Sequence, residues 1–501
     1  MTVLPPDIVL KVLHVSAAEC EDDWIKYLMG GIFDSGAKRY FLLRIAWEDN
    51  VFVNYIDYEE DLSSRNPQRI APYSWIRLTH VCRMWRELAL YTSALWTHVS
   101  ATSREAVAEV LQRSKDKSLT LTSACPTQYQ DYLVTEIFAQ NIHRISVAVL
   151  PALPNSISEA QVRSASQLET LIFVEACEPM AVIANHGHGI AAPYQFPILK
   201  HLETVPAIWE SFARFFSSSL TSLILRYPRA DHVLDDLPPY AHSSRELALA
   251  LRHTPLLEVL DVDVGEDTNA VSIKALLPRL RRLGIRGATE CCAALFNALQ
   301  IPSGTQIKFD CKNSIGADIV ELSDATCAIF EAIDPFTAGK GSTLRPILSL
   351  SIISTRNEYR LRGWRSVQRL EESPHRVAHP DVIINLPVRS LADNVSALLL
   401  AMPLPQPYVV RLGSLPLLNI EEGTSQSDII EAVAALPNLS ALIMDRLAAH
   451  LVCQLIKSVQ SPSLRIFLSG VRFRDAMPTL VGGVVDWDDM SVYLIFFLRC
   501  E

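Results

Sequence analysis

Two neighbouring segments decide how the chain is read: TPLLEVLDVDV, residues 254–264, and LPRLRRLGIRG, residues 277–287. Each opens on a proline-containing turn. An apolar residue follows, then two variable positions, a second apolar residue, one variable position and a third: Leu257, Leu260, Val262 in the first and Leu280, Leu283, Ile285 in the second. The last two members of each triplet are two residues apart, so they share one face of a short extended strand. The spacing returns at Ile142, Ile145, Val147, at Leu168, Leu171, Phe173, at Leu220, Leu223, Leu225 and at Leu439, Leu442, Met444. Less regular copies run over Leu199 to Val205 and Leu464 to Leu468, and the lead-ins FPILKHL, LPNLSAL and SPSLRIF repeat the turn chemistry.

Segments of helical composition lie between the strands, among them 243–252 (SSRELALALR) and 289–299 (TECCAALFNAL). A unit of one short strand and one helix cannot bury its apolar face alone. Stacked copies bury it jointly and lay their strands in a parallel sheet. The first strand position recurs at intervals of 26, 31, 21, 37 and 23 residues from Ile142 to Leu280. That spread suits a degenerate leucine-rich-repeat array with variable loops, and an ordinary α/β domain with Leu-rich strands is the competing reading. From Lys308 to Asn394 the pattern fades, with only Leu344, Ile347 and Ser349 hinting at a further copy.

Composition sets the bounds. Of the 501 residues, 49% are hydrophobic and 20% charged, enough apolar material to build cores rather than a disordered chain. The net charge of −10 argues against general nucleic-acid binding, which depends on clustered cations neutralising phosphates. Residues 1–72 carry seven Lys/Arg against twelve Asp/Glu, half of the net negative charge. The ten cysteines form no C-x-x-C pair and read as reduced, with Cys82 and Cys453 in apolar stretches where a thiol acts as a small buried hydrophobe. The start, MTVLPPDIVLKVL, lacks a basic segment and an unbroken apolar run, which argues against a signal peptide. Prolines 403, 405 and 407 break the most apolar internal stretch, Val395 to Val410, so a membrane span is not expected. A soluble, intracellular protein is the expectation.

Two N-terminal pieces stand outside the repeats. In LPPDIVLKVL, residues 4–13, Pro6 suits a first helical turn and Asp7 complements the positive helix end. A short helix there places Ile8, Val12 and Val15 on one stripe with Val9 and Leu13 beside it. In WIRLTHVCRMWRELALYTSALWTHV, residues 75–99, Trp75, Leu78, Cys82, Trp85 and Ala89 follow at helical intervals as one apolar seam, and Leu95, Trp96 and Val99 close the segment. A small helical bundle with an aromatic core accounts for most of these side chains.

In their order, the two pieces resemble the F-box motif, in the form found in large fungal F-box families. Leu4-Pro5 opens the motif. Ile8 and Leu13 match its first-helix apolar positions, Val81-Cys82-Arg83 with Trp85-Arg86 its central signature, and Leu95-Trp96 its close. The segment LQRSKDKSLTLTSA, residues 111–124, is similar to the Arg-Ser-then-strand stretch that follows the motif in such proteins ahead of leucine-rich repeats. The resemblance departs at Ser16 to Pro72, where the family has only a short spacer. That stretch is open to three readings: a folded insertion, a disordered acidic excursion or wrongly retained coding sequence.

The resemblance implies an α/β protein with a small N-terminal helical F-box, residues 1–100 with an insertion at about 16–72. A connecting segment, 101–140, and an irregular leucine-rich-repeat-like solenoid with a parallel sheet, 141–501, would follow. It implies a substrate-recognition adaptor of a Skp-Cullin-F-box ubiquitin ligase, in the cytoplasm or nucleus. The F-box would dock on the Skp-type adaptor through Leu4, Pro5, Ile8, Leu13, Val81, Cys82 and Trp85, and the repeats would hold an as yet unknown protein substrate. A repeat scaffold without ligase association is the alternative. No enzyme activity, cofactor, metal, nucleic acid or membrane is expected. H-E-x-x-H, G-x-S-x-G and G-x-G-x-x-G are all missing from the sequence. Gly339-Lys340-Gly341-Ser342-Thr343 lacks the first glycine of a phosphate loop, and His186-Gly187-His188 reads as a loop. Asp261-Val262-Asp263 reads as a strand with outward aspartates and an inward valine.

Overall fold

A computed structural model describes residues 4–31, 73–101, 104–123, 128–150, 163–173, 194–204, 215–225, 244–264, 273–302, 304–312, 349–354, 358–364, 366, 380–387, 409–413, 441–445, 465–469 and 494–497. It is a mixed α/β structure with a mostly parallel sheet and an N-terminal helix. The chain divides into two compact units, Met1–Tyr240 and Ala241–Glu501.

The first unit opens with helix α1 (Pro6–Gly31), a 3-10 turn (Ser74–His80), helix α2 (Arg83–Tyr91) and a second 3-10 turn (Ser93–Trp96). Strands and helices then alternate: β1 (His98–Ser100), α3 (Arg104–Ser114), β2 (Leu119–Thr122), α4 (Gln128–Asn141) and β3 (Ile145–Leu150). Next come β4 (Arg163–Ser164), β5 (Thr170–Phe173), β6 (Tyr194–Gln195), β7 (His201–Thr204) and β8 (Ser222–Leu225). Strands β1, β2, β3, β5, β7 and β8 pair in that order, all parallel, and β4 pairs with β6 in a separate parallel ribbon.

Register explains the core. Val99, Leu121, Ala148, Leu171, Leu202 and Leu223 stand side by side across the six strands, and each is fully buried. The preceding leucines, Leu168, Leu199 and Leu220, are also fully buried, each on a turn whose amide donates three residues back, to Ala165, Phe196 and Ser217. The triplet spacing therefore makes strands by giving each unit one leucine under the turn and one or two under the strand. In β3 the phase differs from the expected one. Leu119 and Thr120 of β2 pair with Ile145 and Val147, so the register slips by one residue. Val147 is only half-buried, and Ala148 takes the inward place expected of it.

The second unit contains α5 (Ser244–Leu251), β9 (Val259–Asp263), β10 (Ala275–Leu276), β11 (Arg282–Ala288), α6 (Thr289–Asn297), β12 (Leu299–Gln300) and β13 (Gln306–Lys312). It continues with β14 (Ser349–Ser354), β15 (Glu358–Trp364), β16 (Val382–Pro387), β17 (Val409–Gly413), β18 (Ala441–Asp445), β19 (Arg465–Ser469) and β20 (Leu494–Phe497). The sheet order is β9-β11-β13-β16-β15-β14-β17-β18-β19-β20. Strand β15 runs antiparallel to both neighbours and β20 antiparallel to β19, so the sheet is not the uniformly parallel one the repeats suggested. Residues 308–394, where the pattern fades, supply β14 to β16 and most of β13. Two apolar rows nonetheless run unbroken across β9, β11, β13 and β16: Leu260, Leu283, Ile307, Val382 and Val262, Ile285, Phe309, Ile384, all buried. Gly287 has a φ of +147°, and a Cβ there would lie 2.5 Å from the carbonyl oxygen of Val264, so the strand turns into α6 only with glycine at this point.

Candidate functional site: an N-terminal apolar ridge

Helix α1 begins where its sequence allows. The carbonyl of Pro5 accepts the first amides, from Ile8 at 3.0 Å and Val9 at 3.1 Å, while Pro6 occupies the first turn, where no amide is needed. No proline or glycine interrupts residues 7–29, so the helix runs on to Gly30-Gly31 rather than ending near Leu13. The first part of the expected insertion, from Ser16 to Gly31, is therefore helix, and residues 32–72 lie outside the described residues.

The helix is apolar on two sides, with different fates. Val9 and Leu13 are fully buried, and α1 packs against the first 3-10 turn and α2. On the other side Leu4 is 47% exposed, Ile8 46%, Val12 39% and Val15 57%. Ile8, Val12 and Val15 lie at helical spacing in one stripe, which begins past Leu4 and ends farther along in exposed Glu19 and Asp22. The inner side is tied down at Cys20, whose sulfur lies 2.9 Å from the Ser74 hydroxyl. Glu21 hydrogen-bonds the Thr120 side chain of β2, and burial holds its carboxyl above the usual range.

The seam expected from Trp75 to Ala89 is split. The 3-10 turn closes with the Val81 amide donating to Leu78 at 3.2 Å, and Cys82 is extended at φ −159°, ψ 170°, before its carbonyl accepts the Arg86 amide of α2. The break turns Val81 outward at 63% exposure and leaves Cys82 exposed, contrary to its reading as a buried thiol; Cys453 lies outside the described residues. Trp75 and Ala89 are buried, and Leu78 and Trp85 are half-buried. The aromatics make a compact joint: Trp96 Nε1 donates to the Ala89 carbonyl at 2.8 Å, the Trp75 and Trp96 rings meet edge to face at 5.3 Å, and the Arg113 guanidinium sits 4.5 Å above the Trp96 ring.

Below the joint, the Ser100 amide donates to the Tyr73 hydroxyl at 2.8 Å, and burial pushes the Tyr73 phenol up to about 12. His98 is buried beside it. Its Nε2 lies 2.8 Å from the Thr122 hydroxyl, its Nδ1 has no partner, and burial pulls its pKa down to about 4.

Of the seven residues nominated from the sequence, Leu4, Pro5, Ile8, Val81 and Cys82 are exposed, Trp85 is half-buried and Leu13 is a packing residue. Val12, Val15, Leu90 at 38% and Tyr91 at 82% extend the exposed apolar surface beyond that set. The spacing of Val12 and Val15 placed them on the Ile8 stripe. Nothing in the sequence marked Tyr91.

A second polar cluster lies in the other unit. Arg286 of β11, 4% exposed, donates to Asp261 at 2.6 Å and to Asp263 at 3.0 Å, with Asp310 3.9 Å away. The expected outward aspartates of β9 thus hold a guanidinium, across a gap that exists because a Cβ on Gly284 would lie 2.7 Å from Asp261 Oδ1. Behind them Cys291, Cys292 and Cys311 are buried, and burial raises the Cys292 thiol well above its ordinary value. Among the described residues no group of three or more His, Cys, Asp or Glu is arranged to hold a metal ion, and no helix is long and apolar enough to cross a membrane. Residues 186–188 and 339–343 lie outside the described residues. Compared with known proteins, the chain matches no family model and no curated entry.

Proposed function

We propose that this chain is a substrate-recognition adaptor of a Skp-Cullin-F-box ubiquitin ligase, without catalysis of its own, acting in the cytoplasm or nucleus. In this reading the N-terminal helices are an F-box. They dock on the Skp-type adaptor through Leu4, Pro5, Ile8 and Val81, with Val12 and Val15 extending the contact. The stacked strands are a degenerate leucine-rich-repeat module that holds a protein substrate.

The observation that carries the reading is the two-sided apolarity of α1. One side, Val9 and Leu13, is fully buried within the chain, while Leu4, Ile8, Val12 and Val15 remain 39–57% exposed, as does Val81 at 63%. Three apolar side chains at helical spacing on an outer face, with Leu4 just before them, match what a partner helix needs, and a few such anchors dominate a typical interface. The turn-plus-strand units, repeated in register, support the repeat assignment.

The test is capture of a purified Skp-type adaptor by the full chain. Wild type is expected to form a complex, and Ile8→Asp and Val81→Asp to lose it with melting temperature unchanged. Failure of wild type to bind would leave the scaffold reading, with no ligase association.

A further inference from the structure

We infer that the partner of the N-terminal ridge presents an acidic strip to residues 77–86, an inference that rests on the docking reading above. Arg77, His80, Arg83 and Arg86 are all exposed and flank Val81 and Cys82 in sequence. Arg77 and His80 are three apart in a 3-10 turn, where such positions eclipse, and Arg83 and Arg86 are three apart on α2, where they share a face. Arg77 and Arg86 therefore lie on either side of Val81 in sequence, with Val81 63% exposed. Between residues 73 and 99 the single acid is Glu87, and it pairs with Arg83 at 2.6 Å. Three arginines against one glutamate leave this segment at +2 in a chain of −10. An acidic protein is therefore repelled by the chain as a whole and drawn to this segment in particular.

The surface is also polarised. Along α1 the apolar stripe runs into exposed Glu19 and Asp22, so its far end carries the opposite sign. A partner with an acidic edge over 77–86 and no acids over 19–22 seats in one orientation, and the reversed orientation places like charges together.

Association kinetics test this with the full chain and a purified Skp-type adaptor as probe, from about 50 to 500 mM salt. The wild-type association rate is expected to fall with salt. Arg77→Glu with Arg86→Glu should slow association about tenfold at low salt with an unchanged melting curve, because both side chains are exposed. Val81→Asp should instead abolish the complex. A complex whose association rate ignores both salt and the double reversal would overturn the acidic strip and leave docking intact. No complex at any salt would overturn both.

Discussion

Helix α1 and the strand stack handle apolar residues in opposite ways. Across β1 to β8 each inward row position is fully buried, from Val99 through Leu121, Ala148, Leu171 and Leu202 to Leu223. On α1 the apolar residues divide: Val9 and Leu13 are buried as completely as any strand leucine, and Ile8, Val12 and Val15 are left about half in water. The strand rows are complete within the chain because each strand covers its neighbour. The outer stripe of α1 stays exposed among the described residues, and in the docking reading the adaptor covers it.

Paired substitutions break this contrast most directly. Leu171→Ala removes a fully buried side chain and is expected to destabilise by about 3–5 kcal/mol, whereas Ile8→Ala should change stability by less than about 1 kcal/mol and weaken adaptor capture. Urea unfolding beside a binding assay checks both. Equal stability losses at the two positions would erase the distinction between finished and unfinished surface.

The same distinction applies to polar groups. Arg286 is finished, with Asp261, Asp263 and Asp310 around it. Arg286→Ala leaves those carboxylates facing one another and is expected to destabilise by about 3–4 kcal/mol, with Arg286→Met smaller in effect only where the aspartates can reach water. Denaturant midpoints for the two variants sharpen the comparison.

His98 is the unfinished counterpart. Its ordinary value is 6.5 and in the fold it titrates near 4. Between those values the unfolded chain binds the proton and the folded chain does not. Stability from this residue is therefore fully present above about pH 6.5 and is lost as pH falls toward 4, by about 3 kcal/mol in all. Glu21 runs the other way. Its raised carboxyl binds a proton more readily in the fold, so acidification relieves a penalty there. Comparing urea midpoints at pH 7 and pH 4.5 in wild type and His98→Gln isolates the histidine, and an equal acid loss in both would refute its role.

Among the substitutions in the interior, the smallest expected effect is at Gly284. Its added methyl would lie 2.7 Å from the Asp261 carboxylate, which must shift on Arg286 to make room, so Gly284→Ala should cost about 1–3 kcal/mol. Gly287→Ala, at positive φ and against the Val264 backbone, should cost more, and thermal melts of the two rank them.

Strands such as β5, β8, β9 and β11 were legible because a turn residue, an apolar triplet and a period of two coincide in one short window. Strand β15, EYRLRGW, alternates just as well, yet it pairs with β14 as an antiparallel partner and no proline lead-in precedes it in the sequence, so the repeat template passed over it. The Val147 position failed for a related reason. The extra residue, Ser146, lies in β3 itself, but a slip is defined only by the pairing with β2, which the sequence of one strand does not contain.

Local chemistry sufficed for where chain segments turn, extend or coil: turn residues, apolar spacing and helix-start prolines act within a few residues of themselves. It also placed Ile8, Val12 and Val15 on a common stripe of α1. Which of that helix's two apolar sides is covered depended on long-range packing, because Val9 and Ile8 are equally oily and hydrophobic burial has no direction of its own until a neighbour arrives. The turn and helix built from residues 74–91 pack against α1, on which Val9 and Leu13 are buried and Ile8, Val12 and Val15 stay exposed.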